Sequence, residues 1–277
     1  MLLEPISPSV KSYSKSTDTK WSLMKSLLLG FLIFNFSILI LQCGLDIEDP
    51  TPPSPPVWVQ KSLPEEWPER GIDAHNSGGI YGGINLEWEQ KPEENIQTYL
   101  LYRAQHFEFN DSLGEFDLIA RKSTDEIRNH QYLDNEVGIR VQYYYKIKAE
   151  DQSGNLSSFS DSIHYSLLPQ INFETMQPNG LSDTISVSRR LFWGYYYVEM
   201  EDYCLTVLTQ YNDLVIRVVL SPVNYISAFE SWHFPDSIIL ESNQIYKWRI
   251  DTGGEYSAGL ETAGSESPWG TFLFVGD

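Results

Sequence analysis

Residues 141–160 read VQYYYKIKAEDQSGNLSSFS, and their alternation decides the fold. Tyr143, Tyr145, Ile147 and Ala149 lie two apart, so an extended backbone turns all four to one face. Residues 151–155 then supply Asp, Ser, Gly and Asn, a turn by composition, and the Ser-rich stretch 156–160 reads as a second strand.

The rest of the composition agrees with a β-rich protein. At 277 residues the chain accommodates about two domains. A hydrophobic content of 42% and an aromatic content of 14% exclude wholesale disorder and supply core material. Seventeen Tyr against four Met lean towards strands rather than helices. The net charge of −19 repels phosphate backbones and excludes nucleic acid as a partner. Two cysteines build neither a disulfide framework nor a zinc site.

The 141–160 pattern resembles the last hairpin of a fibronectin type III domain: Tyr-x-Tyr-x-Ile-x-Ala, a Gly-Asn turn, then a Ser-rich strand. Upstream motifs extend the resemblance. A Pro precedes a short strand at 57–59, 84–88 (INLEW) ends in Trp88, and 97–103 (QTYLLYR) looks like the third strand. Residues 116–120 and 131–134 fit the next two. The resemblance implies that Trp88 is the core tryptophan and that Tyr143 forms the tyrosine corner, its hydroxyl turned onto nearby backbone. The loop from 61 to about 83 is longer than the family carries there.

The second half repeats the logic more loosely. Residues 185–194 end in Trp193-Gly194 as a second strand does, 203–208 resembles the third, and 245–251 parallels 143–149 with Tyr246, Trp248 and Ile250 inward. Residues 266–274 look like the closing strand. Cys204 falls in a strand pattern, as a small buried hydrophobe would. The implied architecture is all-β: two tandem Ig-like, fibronectin type III-like β-sandwiches at 57–168 and 169–277, after an N-terminal signal or anchor helix and a Pro-rich linker.

Residues 27–41 (LLLGFLIFNFSILIL) form one apolar run, short for a membrane span and suited to a signal-peptide core. Met24-Lys25 makes a compact basic start just before it. With Cys43 following, residues 1–43 resemble a bacterial lipoprotein signal, implying lipidation of Cys43 and a membrane-anchored chain in the cell envelope, periplasmic or surface-facing. Gln42 departs from the small residue usual there, and an uncleaved anchor or an ordinary signal peptide are the alternatives. Cleavage before Cys43 leaves 15 basic against 36 acidic side chains, a net −21. Residues 44–56 are acidic and Pro-rich, an extended semi-rigid spacer.

No chemistry stands out. The five histidines are scattered without metal-ligand spacing, and no Gly-x-Ser-x-Gly elbow or phosphate-cradling loop is present. The oxygen-rich stretches 151–155 and 199–202 read as ordinary turns rather than calcium loops. We therefore expect neither an enzyme nor a cofactor. Trp58, Trp67, Tyr81, Trp232 and Phe234 fall in or near loops, where aromatic planes contact sugars or proteins, or else cover the sandwich ends. The leading expectation is a non-catalytic envelope lipoprotein for adhesion, spacing or protein interaction. The alternatives are a carbohydrate-binding accessory protein of a polysaccharide-uptake system, or a subunit of a surface or secretion complex. The partners expected are the membrane, through its lipid, and an envelope protein or a glycan.

Overall fold

A computed structural model describes residues 51–63, 66, 68–76, 82–91, 95–126, 130–180, 183–185, 189–194, 202–220, 229–253 and 262–276. The expected signal segment with Cys43 lies outside these residues, as do Trp67 and Tyr81.

Among the described residues the first half forms nine strands: β1 (Val57–Trp58), β2 (Asp73–His75), β3 (Gly83–Glu89), β4 (Ile96–Phe107), β5 (Ser112–Leu113), β6 (Asp117–Ser123), β7 (Gln131–Asp134), β8 (Gln142–Asp151) and β9 (Ile163–Leu167). The second half forms β10 (Asn172–Gln177), β11 (Thr184–Ile185), β12 (Arg190–Gly194), β13 (Asp202–Thr209), β14 (Leu214–Leu220), β15 (Phe229–His233), β16 (Gln244–Gly253), β17 (Ala263–Glu266) and β18 (Gly270–Phe274).

Each half is a sandwich with the same strand order. In the first, β3 pairs antiparallel with β1, β2 and β7, and this sheet faces β6–β4–β8–β9. In the second, β10–β12–β15 faces a sheet in which β16 pairs with β13, β17 and β18, and β14 extends it beyond β13. The first, second and fifth positions share one sheet and the other four share its partner, the order of a fibronectin type III sandwich. One core gathers Ile84, Leu86, Trp88, Tyr99, Leu101, Tyr145, Ile147 and Ala149; the other gathers Leu191, Trp193, Tyr203, Leu205, Tyr246, Trp248, Ile250 and Phe272. Trp88 meets Tyr99 edge-on at 5.1 Å between ring centroids, and Trp193 meets Tyr203 at 5.9 Å in the same manner.

Polar groups at matching positions hold both sandwiches. The Tyr143 hydroxyl accepts the Gly138 N–H at 3.1 Å, and the Tyr246 hydroxyl accepts the Glu241 N–H at 2.8 Å, so each module has a tyrosine corner. Two residues along, Tyr145 donates to Asp134 Oδ2 at 3.0 Å and Trp248 Nε1 donates to the Pro178 carbonyl at 2.9 Å. Asp134, buried on β7, also takes Arg103 of β4 at 2.8 Å, which ties one sheet of the first sandwich to the other.

Four features depart from the sequence reading. Residues 156–160 are not a ladder strand: Ser157 and Ser160 each donate an N–H to β8 (Ala149 O, 2.9 Å; Ile147 O, 3.0 Å) and accept the N–H of the same residue through the hydroxyl. Regular pairing resumes at β9. The 266–274 strand is broken into β17 and β18 around Pro268, which has no N–H to give, and Ser267 there repeats the Ser160 arrangement on Ile250. The two ends of the expected 185–194 strand lie in different sheets, β11 pairing with β18 and β12 with β10 and β15, and Arg189 stands at φ +42° just before β12. Finally, the spacer expected over 44–56 is already docked at its end: Pro53 and Pro56 are buried, and Gln90 Nε2 donates to the Ser54 carbonyl at 3.2 Å.

The two sandwiches are joined by main-chain pairing. β17 runs parallel to β9, with Ser166 N–H on Thr262 O and Leu168 N–H on Gly264 O, both at 2.8 Å. One sheet therefore continues across both modules. Gly264 is required at this seam, because a Cβ there would lie 2.6 Å from the Tyr165 hydroxyl and 2.8 Å from the Thr252 carbonyl.

Removing a hydroxyl that satisfies one buried N–H costs about 1 kcal/mol, so Tyr143→Phe and Tyr246→Phe should each destabilise by that amount in urea denaturation. Asp134→Ala strands the Arg103 guanidinium and should cost roughly 3–5 kcal/mol. Equal, negligible losses for all three variants would contradict the bonding described.

Candidate functional site

The sequence-nominated aromatics do not assemble into one surface among the described residues. Trp58 is half-buried; its Nε1 donates to the Asp161 carbonyl at 2.8 Å and its ring meets Trp88 edge-on at 6.4 Å. Phe234 is fully buried against Phe272, so the reading of it as a ligand contact is corrected: its main chain is fixed by a hydrogen bond from its N–H to Arg189 O, which turns the ring into the core. Trp232 is half-buried and packs on Phe234 at 4.8 Å. The 151–155 stretch is a turn, in which Asp151 carboxylate oxygens take the Asn155 N–H at 2.8 Å and its side-chain amide at 3.0 Å.

What the fold does assemble is a charged junction between the sandwiches, and its origin is local. The segment after β1 closes on itself: Ser62 N–H donates to Arg70 O at 3.0 Å and Arg70 N–H to Ser62 Oγ at 2.9 Å. Gly71 permits the return at φ +85°, where a Cβ would come within 2.6 Å of the Gln60 carbonyl. Glu87, buried on β3, pins the loop by accepting the Gly71 N–H and the Arg70 guanidinium, each at 2.7 Å. Glu69 is thereby carried onto the outer face of the second sandwich.

There Glu69 pairs with Arg217 of β14 and, at 2.5 Å, with Arg249 of β16. Arg249 also holds Asp251 at 2.8 Å and Glu266 of β17 at 2.9 Å, while Arg217 donates to Thr206 and lies 3.7 Å from Asp251. Asn76 N–H completes Glu266 from the first sandwich at 2.9 Å, and Tyr165 donates to Asp73 at 2.9 Å. Arg249 is thus shared by Glu69, Asp251 and Glu266, so each of these carboxylates meets a guanidinium. A cavity of about 100 Å³ lies against Glu69, Asp73, Tyr165, Cys204, Asp251 and Glu266, and a more open cleft of about 290 Å³ runs past Arg70, His75 and Gln131.

The electrostatics follow from burial. Although desolvation opposes it, Arg249 and Arg217 hold the Glu69 carboxyl below its ordinary value. Burial pushes the Cys204 thiol up to about 12, which keeps it protonated and a poor nucleophile. His75 is lowered by burial and then by Arg249. Among the described residues no cluster of three or more His, Cys, Asp or Glu could hold a metal ion. The arrangement is suited to clamping two modules together.

Sequence reasoning missed these residues. The signal was present in part: Arg249 and Asp251 alternate with the inward Trp248 and Ile250, which places two charges on one outer strand face. Nothing in the spacing announces that the first module's long loop covers that face.

Comparison with known proteins adds names without function. No family model matches the chain, and no curated protein matches it. Among solved structures it is similar to the FN1–FN3 domains of chicken CNTN1 (14% identity, 80% of this chain and 69% of that one, TM-score 0.31). It is also similar to a two fibronectin type III domain segment of chicken tenascin (11%, 73% and 97%, TM-score 0.25). A further match is the twitchin kinase region of C. elegans (15%, 42% and 17%, TM-score 0.27).

Glu69→Ala leaves two guanidiniums short of one carboxylate but still paired with Asp251 and Glu266. It should cost on the order of 2 kcal/mol, less than a fully severed buried pair. Calorimetry showing an unchanged melting temperature would refute the clamp.

Proposed function

We propose that this chain is a non-catalytic lipoprotein of the bacterial cell envelope whose two fibronectin type III-like sandwiches act as one fixed unit for spacing and protein interaction. The observation that carries the reading is the junction. Glu69 of the first module is neutralised by Arg217 and Arg249 of the second, and β9 and β17 share main-chain hydrogen bonds. Groups neutralised in this way serve cohesion rather than turnover, and a continuous sheet keeps the two modules at a set spacing from each other.

The tether in this reading is a lipid on Cys43, followed by an acidic, Pro-rich spacer that ends where Pro53 and Pro56 dock. The net charge of the chain gives no attraction to an anionic bilayer, so the lipid supplies the attachment. The partner we infer is an envelope protein rather than a glycan, because the described aromatics nominated for sugar stacking are hydrogen-bonded, half-buried or fully buried.

Growth of an expressing bacterium with a clickable fatty acid tests the attachment. The wild-type chain should be labelled and membrane-bound, whereas Cys43→Ser should lose the label. Crosslinking of the tagged wild-type protein in intact envelopes should then retain one dominant envelope protein. An unlabelled wild-type chain in the soluble fraction would overturn the reading.

A further inference from the structure

Asp251 on β16 and Glu266 on β17 are direct cross-strand partners, and their side chains keep only 13% and 7% of their exposure. Two carboxylates in that relation repel, and their removal from water makes the repulsion more costly. Arg249 lies between them, its Nε 2.8 Å from Asp251 Oδ1 and its Nη2 2.9 Å from Glu266 Oε1. Among the described residues, the other charges around the pair come from five further segments. β14 gives Arg217, the loop after β1 gives Lys61 and Glu69, and β2 gives Asp73, paired with Lys61, and His75, 3.5 Å from Glu266. β13 adds Asp202 and Cys204 at the cavity wall, and β9 adds Tyr165.

The charges do not balance when fully ionised. Among the described residues, Glu69, Asp73, Asp251 and Glu266 are four carboxylates against Arg217, Arg249 and Lys61. His75, held low, brings no charge near neutrality, and Cys204 and Tyr165 are both raised by burial and stay neutral.

We propose that the Asp251–Glu266 pair retains a proton at neutral pH and that this proton keeps the two sandwiches locked, so that its loss on the alkaline side frees the Glu69 loop and loosens the junction. Burial, outweighing Arg249, lifts Asp251 to about 7 and Glu266 to about 8 from ordinary values of 3.8 and 4.5. The folded chain thus binds this proton more tightly than the unfolded chain. The associated stability is full below the ordinary carboxylate values and is lost as pH rises through about 7 to 8. Glu69 acts oppositely, since its lowered value makes its contribution fade only in acid. The junction is therefore tightest in mild acid.

Hydrogen exchange on the full chain at pH 6 to 9, expressed as protection factors so that base catalysis is removed, reads the lock directly. Protection of residues 68–76 and 262–267 should fall about tenfold between pH 7 and 9, while the interior of β8 stays unchanged. Glu266→Gln, neutral at every pH, should flatten that fall, and Asp251→Asn should do the same. A flat wild-type profile, or an equal fall in both variants, overturns the proposal. Should neither variant fold, infrared spectra of the wild type decide: a protonated-carboxyl stretch at pH 7 that disappears by pH 9 supports the lock, and its absence at pH 7 sinks it.

Discussion

The parallel pairing of β9 with β17 is the constraint on which the rest of this structure depends. Without it each sandwich would be a complete module with its own core and its own tyrosine corner. With it, the long loop of the first module reaches the outer sheet face of the second, and Glu69 joins the charged cluster that Arg217, Arg249, Asp251 and Glu266 form there. Two hydrogen bonds of 2.8 Å and one glycine fix the register from which the charged network is built.

Both modules solve the same packing problem with different side chains. Tyr145 and Trp248 occupy corresponding places on β8 and β16, and each sends one donor out of an aromatic core to an acceptor on the opposite layer. In the first sandwich that acceptor is a buried carboxylate neutralised by Arg103; in the second it is a backbone carbonyl. The charged solution demands an exact partner, whereas the neutral one needs only the position of Pro178.

Much of this was legible from residue order alone. Period-two alternation located β3 and β8, the resemblance placed β4, β13 and β16, and Trp88, Tyr143, Tyr145, Tyr246 and Trp248 face the core as expected because the core imposes that period. The strand expected at 156–160 does not form because serine hydroxyls stand in for a neighbouring strand's carbonyls, a substitution that composition does not reveal. The loop position of Phe234 leaves both ligand contact and cover of the sandwich end open, and the ring takes the inward side because a loop residue beside β15 can turn inward as readily as outward. Glu69 and Arg249 lie 180 residues apart, and no local pattern encodes such a contact.

The serine arrangement has a further consequence, for how these modules behave when crowded. A bare strand edge offers rows of N–H and C=O groups on which another chain can zip. Ser157, Ser160 and Ser267 each donate an N–H to the facing strand, β8 or β16, and accept one from it through the hydroxyl, which then donates onward to the carbonyl of Ser158, Asp161 or Pro268. Main-chain groups that could recruit a stranger are answered from within. Sheets ending in this way resist edge-to-edge aggregation at high local density.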